Sequence, residues 1–333
     1  MYRPLVFSGV VLTFLVIVAN ADVRLEDAGL GCPDWPGCYG QLLGVPDEVH
    51  EVARAEQAYP GSPVDPARAW KEMFHRYLAG ALGLLILAIA AIAWRSRAEI
   101  GRSPGLATLL VAVVAFQATL GMWTVTMLLK PAIVTLHLLG GMTTLALILW
   151  LALREIDPAA APAEVARRLR PWAAVGMAVL AAQIALGGWV SANYAALACP
   201  DFPACHGRWL PDMDFGHAFH VLRELGVTAA GAPLSQDALV AIHWTHRLGA
   251  LVTVLYLGAL AVKGLRVPAL ALYSGLLLAL LLAQAALGIA NVLAGLPLPV
   301  AVAHNGGAAL LLVALVMLNF AVFKQSSAET ATR

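Results

Sequence analysis

The chain has 333 residues, 60% of them hydrophobic and only 12% charged, with a mean hydropathy of +0.78; a soluble domain carries about 25% charged residues. The formal net charge is +1, so no basic field exists to hold phosphates, which excludes a nucleic-acid partner. Long apolar blocks also exclude a soluble enzyme, a disordered chain and an outer-membrane barrel, and leave a multi-span helical membrane protein.

Hydrocarbon offers the backbone no partners, so each long apolar block is read as a helix. The uncharged runs 4–21, 77–94, 103–129, 131–153 and 171–200 give five spans. A sixth lies between Asp237 and Lys263, interrupted only by Arg247. The uncharged run 267–323 is far longer than the roughly 20 residues of one span. Gly295-Leu296-Pro297-Leu298-Pro299 divides it in two. The expected architecture is all-α, with eight transmembrane helices in two repeated four-helix bundles. Residues 1–153 form the N-terminal half, 154–171 a cytoplasmic linker, 172–323 the C-terminal half and 324–333 a cytoplasmic tail.

Met1-Tyr2-Arg3, the apolar run and Ala19-Asn20-Ala21 also resemble a secretory signal with its cleavage site. The internal repeat described next argues for retention, because it makes the first span the counterpart of the fifth. Eight spans put both termini on one side. The short loops of that side hold Arg95, Arg97, Arg102, Arg154, Arg167, Arg168, Arg170, Lys263 and Arg266, and Arg3, Lys324 and Arg333 join them at the ends. The positive-inside rule makes this side the cytoplasm. The long loops 23–70 and 193–237 face outward.

The halves repeat. Cys32-Pro-Asp-Trp-Pro-Gly-Cys38-Tyr-Gly40 aligns with Cys199-Pro-Asp-Phe-Pro-Ala-Cys205-His-Gly207. The same offset of 167 links Gln117 to Gln284, Gly121 to Gly288, His137 to His304 and Gly140 to Gly307, while His75-Arg76 pairs with His246-Arg247 at 171. A near-constant offset over such a length marks a duplication. Both cysteine pairs lie in outward loops, and an oxidising compartment allows two disulfides, Cys32–Cys38 and Cys199–Cys205. A metal site is the alternative, weakened because Tyr39 stands where the second half has His206. A structural staple and a reducible redox pair are both open readings.

His50, His206, His217 and His220 lie in outward loops, where solvation is the ordinary fate. His75, His137, His246 and His304 instead sit near the outer ends of the second, fourth, sixth and eighth spans. Ionisable groups there are costly and usually functional. Neutral imidazole ligates iron, and two on facing helices clamp a haem. The matched depths imply two bis-histidine haem sites near the outer face, His75 with His137 and His246 with His304. Gly140-Gly141 and Gly306-Gly307 leave bare backbone for a flat ligand, or for close helix packing. Arg76 and Arg247 at the helix mouths either pair with haem propionates or snorkel to the interface. The halves differ at Glu72, three residues before His75, whose counterpart is His243. An acid there serves in proton transfer or charge stabilisation, or favours a helix start.

Cys-Pro-Asp-Trp-Pro-Gly-Cys, Glu72-Met-Phe-His75-Arg76, His137-Leu-Leu-Gly-Gly, the 193–203 segment, His243-Trp-Thr-His246-Arg247 and His304-Asn-Gly-Gly together resemble the heme A synthase family over nearly the whole chain. The resemblance implies two four-helix bundles related by pseudo-twofold symmetry, and an enzyme of the inner (plasma) membrane. Haem b would be the cofactor, ligated by His246 and His304. Haem O would be the substrate, received at His75 and His137 with its farnesyl tail in lipid. Oxidation of a ring methyl to a formyl group, through hydroxylated intermediates, would give haem A for cytochrome oxidase. Glu72 matches the family's important acid and is the expected catalytic residue; Cys32 and Cys38 match its N-terminal cysteine pair. Arg24 also matches and joins Arg76 and Arg247 as a candidate propionate contact, although Glu26 and Asp27 depart from the small polar residues common there. Haem O synthase and an electron donor are further expected partners beside the lipid bilayer. A di-haem b-type electron-transfer subunit or a haem-handling protein would use the same histidines without oxidising haem. The first of these ordinarily wants haems near both membrane faces.

Overall fold

A computed structural model describes residues 2–97, 103–156, 158 and 160–324. The expected cytoplasmic residues Arg102 and Arg333, and the tail beyond Lys324, lie outside the described residues. Among the described residues, eight helices are long and apolar enough to cross a membrane: α1 (Tyr2–Leu25), α3 (Pro66–Arg95), α4 (Gly105–Thr126), α5 (Pro131–Ile156), α6 (Ala163–Ala192), α8 (Gln236–Leu265), α9 (Ala271–Leu293, prolonged by a 3-10 turn, Pro268–Leu270) and α10 (Leu298–Phe323). The two long loops add α2 (Val49–Ala58) and the single turn α7 (Phe215–Ala218). No strand occurs among the described residues.

Helix α3 starts eleven residues before the uncharged run. Pro66 occupies its first turn, and the Asp65 carboxylate caps the amides of Ala67 and Arg68 at 3.1 and 3.2 Å. The charges that interrupt apolarity here are matched across helices. Lys71 pairs with Asp22 at 3.3 Å, from the end of α1, and with Glu26 just beyond it. Helix α6 likewise begins inside the expected linker, at Ala163, and runs through Pro171. Its first turns consist of good helix formers, with Glu164 bridging Arg167 at 2.8 Å and Arg168 at 2.9 Å at i+3 and i+4.

Each half closes on itself. Helix α1 packs on α3, α3 on α4, α4 on α5 and α5 on α1. The second half repeats the ring as α6, α8, α9 and α10. The halves meet where α1 touches α10, α5 touches α6 and α5 touches α10. Because α1 corresponds to α6 and α5 to α10, this interface has the pseudo-twofold form that a duplication produces. An apolar cluster from Ile17, Met142, Leu145, Leu180, Leu257 and Leu315 runs across it. Helix α1 thus belongs to the packed core, as its correspondence to α6 requires.

Candidate functional site: paired histidines under two disulfide turns

Both cysteine pairs are disulfides in turns folded alike, Cys32–Cys38 and Cys199–Cys205, each with a Cα–Cα distance of 4.8 Å. The aspartate of each Cys-Pro-Asp sequence holds the turn from within. Asp34 accepts the amides of Tyr39 and Gly40 at 2.6 and 2.8 Å, and Asp201 those of His206 and Gly207 at 2.7 and 2.8 Å. These amides accompany a left-handed residue pair in both turns, with φ of 50° and 79° in the first and 53° and 71° in the second. The N–H groups of Gly207 and His206 hold the Asp201 carboxyl below its usual range.

Each turn is seated on the outer part of a histidine-bearing helix. The amide of Cys32 donates to Oε2 of Glu72 at 2.9 Å. Arg76 then binds the other Glu72 oxygen and the carbonyls of Asp34, at 3.0 Å, and Gly37. In the second half the amide of Cys199 donates to Nδ1 of His243 at 3.3 Å. Nε of Arg247 lies 3.2 Å from Nε2 of His243, and its guanidinium donates to the carbonyls of Ala204 and Cys199, both at 2.8 Å. Glu72 and His243 are each 4% exposed. Arg24 reaches across the interface between the halves, donating to the Tyr194 hydroxyl at 2.6 Å and to the Ser191 carbonyl at 2.8 Å. The three arginines expected beside propionates thus use their guanidinium groups to tie loops and halves together.

Beneath the turns, the structure sets His75 and His137 in the first bundle and His246 and His304 in the second, each pair within range of electrostatic interaction. His137 and His304 are both the seventh residue of their helices, about 9 Å from the helix start at 1.5 Å per residue. The rings of His75, His137 and His304 face the main chain of Val16, Gln117 and Gln284 on the preceding span. Their Nδ1 atoms nonetheless remain buried without a full hydrogen bond.

Glycines press against the rings. A Cβ at Gly121 would lie 3.4 Å from Cε1 of His137, at Gly187 3.2 Å from Cε1 of His246, and at Gly288 3.1 Å from Cε1 of His304. The bare backbone of Gly140, Gly249 and Gly307 receives the side chains of Gln117, Gln183 and Gln284. Of the positions expected to leave room for a flat ligand, Gly140 and Gly307 are therefore faced by glutamine. Gly141 and Gly306 face Ile17 and the pair Val18 and Phe14 of α1.

These features fit haem. Among the described residues no cluster of three or more His, Cys, Asp or Glu could hold a bare metal ion. Buried imidazoles in pairs, three of them with an unpartnered Nδ1, suit an iron that arrives with four ring nitrogens of its own. The cost of leaving such polar atoms in an apolar bundle argues that they serve a ligand.

Several residues of the site carried no role in the sequence reading. Asp34 and Asp201 were visible as a repeated Cys-Pro-Asp without an evident purpose. Gln117 and Gln284 were visible as repeat partners, and Gln183 was hidden because its counterpart in the first half is Val16. Arg223 had no signal. It is 2% exposed in the second outer loop, bonded to Oδ1 of Asn193 and set over the Trp189 ring at 5.7 Å.

Fold and site together define an eight-span helical membrane protein that carries one buried histidine pair in each of two duplicated bundles. A family model described as cytochrome oxidase assembly protein matches residues 3–316, and the chain belongs to that family. It is 43% identical over 321 residues to the heme A synthase of Shewanella oneidensis, covering 96% of both chains. It is 28% identical to the heme A synthase of Halalkalibacterium halodurans over 257 residues, 74% of this chain and 78% of the relative. It is also 28% identical to that of Chelativorans over 340 residues, 96% of this chain and 88% of the relative.

Proposed function

We propose that the chain is a heme A synthase of the plasma membrane, with both termini cytoplasmic, oxidising a ring methyl of haem O to the formyl group of haem A. The observation that carries the reading is a duplicated histidine-pair scaffold in a chain 43% identical to a heme A synthase over nearly its whole length. His246 and His304 would hold haem b as the resident cofactor, and His75 and His137 the substrate haem O. Bound haem b supplies one-electron redox chemistry.

Turning a methyl into a formyl group removes four electrons and adds one oxygen, so protons must leave the N-terminal pocket. Glu72 lies on the His75 face of α3, three residues away, and would take a proton on a carboxylate oxygen. The C-terminal half has His243 in that place, which suits a pocket that holds its haem unchanged. Arg76 and Arg247 would add positive charge near the pocket mouths, where propionates are favoured. Both histidine pairs lie toward one face of the bundles, which disfavours a cross-membrane electron wire. Expression in a host supplied with haem O, followed by pigment extraction and chromatography, tests the reading. Haem A is expected, and unchanged haem O would overturn it.

A further inference from the structure

One pattern recurs on successive helix hairpins. The first helix of a hairpin carries Gln-x-x-x-Gly and the second carries His-x-x-Gly. The hairpins α4–α5, α6–α8 and α9–α10 hold it as Gln117, Gly121, His137 and Gly140; Gln183, Gly187, His246 and Gly249; and Gln284, Gly288, His304 and Gly307. In each, one glycine flanks the imidazole and the other receives the glutamine. The hairpin α1–α3 has Val16, Asn20, His75 and Leu78 at these four places, so His75 alone lacks all three companions.

The glutamines do not all behave alike. Nε2 of Gln183 lies 3.1 Å from Nδ1 of His246 and donates to the His246 carbonyl at 3.2 Å. Nε2 of Gln284 lies 3.4 Å from Nε2 of His304 and donates to the His304 carbonyl at 2.9 Å. Nε2 of Gln117 is buried with no partner. Both C-terminal histidines are therefore gripped at ring and main chain by one carboxamide, and neither N-terminal ring is. A carboxamide can also accept from a ring N–H, and Oε1 of Gln183 and of Gln284 is buried and unpartnered. Turned so that Oε1 accepts the ring N–H, such a carboxamide fixes the tautomer and orientation of an imidazole whose other, unprotonated nitrogen ligates a metal.

We propose that Gln183 and Gln284 are positioning residues that lock His246 and His304 as permanent haem ligands, and that His75, lacking such a partner, is the exchangeable ligand. This rests on the function proposed above, and supplies a reason why one duplicated pocket would keep its haem while the other releases a product. A substrate pocket needs a ligand that lets go; a cofactor pocket needs two that do not.

The test uses purified protein carrying both haems. Cyanide added to the oxidised form should bind the N-terminal haem and leave the C-terminal one bis-histidine, read by absorbance and electron paramagnetic resonance. Equal rates at the two haems would overturn the proposal. Gln284→Met keeps the length of the side chain against Gly307 but removes the carboxamide. Shifted low-spin resonance signals and a shifted midpoint potential are expected, or loss of the C-terminal haem from protein that stays folded; wild-type signals and potential would mean that Gln284 only fills space. Val16→Gln combined with Leu78→Gly supplies the missing glutamine and the glycine that receives it, and should slow loss of the N-terminal haem by about three- to tenfold, the worth of one net hydrogen bond. Unchanged release would remove the claim for His75. The control is His304→Ala. If it leaves the C-terminal haem spectrum untouched, the ligand assignment itself is wrong; if it abolishes that spectrum while Gln284→Met changes nothing, only the positioning claim fails.

Discussion

Glu72 and His243 occupy equivalent places in the two halves and accept the same hydrogen bond, from the backbone N–H of the first cysteine of a disulfide turn. Each also lies against the arginine one helical turn further on, Arg76 or Arg247. One seat has thus been filled by a carboxylate in one half and an imidazole in the other. Anchoring the turn does not require an acid, since His243 does it without one. The acid at Glu72 is therefore the feature that anchoring leaves unexplained.

This equivalence separates the anchoring role of Glu72 from the chemical role proposed for it. Glu72→Ala would strand a buried guanidinium and a backbone amide, at a cost of about 3–5 kcal/mol, and would confuse misfolding with lost chemistry. Glu72→His copies the second half and keeps an acceptor for the Cys32 amide. It should leave the disulfide turn and the C-terminal haem in place while lowering haem A yield by about a hundredfold or more, the usual worth of a positioned acid or base. Chromatography of extracted haems reads the outcome. Normal haem A from this variant would reduce Glu72 to an anchor.

The first turn is seated by close backbone approach as well. A Cβ on Gly31 would lie 2.7 Å from the Arg68 carbonyl carbon and 2.9 Å from the Ala69 amide, both main chain that cannot swing aside. Its counterpart at the offset of 167 is Ala198, so the second turn tolerates the methyl group that the first excludes. Gly31→Ala should destabilise the protein by about 1–3 kcal/mol, the cost of overpacking, while Ala198→Gly should cost well under that. Thermal unfolding in detergent, followed by circular dichroism, checks the pair.

Much of this architecture was legible in the sequence because charge is scarce. Interruptions to apolar runs located eight spans, and the offset of 167 aligned the two halves before any contact was known. The sequence put Glu72 and His75 on a helix but not its start at Pro66, since Lys71, Glu72 and Arg76 break the uncharged run and only the fold shows their partners. Gln183 escaped because a two-copy repeat compares it with Val16; the pattern is a property of hairpins, and comparing hairpins rather than halves would have found it. The seats of Arg76 and Arg247 escaped for another reason. Carbonyls of a turn distant in sequence bind them, and backbone acceptors leave no trace in residue identity.

Acid should loosen the second disulfide turn. The amides of Gly207 and His206 favour the charged form of Asp201 and hold its folded pKa below the unfolded one. A group shifted this way contributes stability that is fully present above its unfolded pKa, near 3.9, and that is lost as pH falls through the lower folded value. Amide exchange at Gly207 should therefore be slow from pH 7 down to about pH 4 and should accelerate below it, after correction for the intrinsic rate. Asp201→Asn should remove the acid-dependent step. Persistence of the same step in that variant would assign it to another group.

The ligand assignment makes the last prediction, and its strength is that the two halves must fail differently. His246→Ala or His304→Ala removes one of two imidazoles from the pocket proposed to hold its haem permanently. Protein purified from either variant should lose the bis-histidine spectrum of haem b and most of its tightly bound haem, measured as pyridine haemochromogen. His75→Ala or His137→Ala leaves that pocket intact, so haem b content should stay near wild type while haem A formation stops. All four substitutions remove the same buried side chain near the same end of the bundles, so generic destabilisation would treat them alike. Equal haem loss from N-terminal and C-terminal variants would contradict the division of labour between the halves. Loss of haem b from the N-terminal variants alone would reverse it.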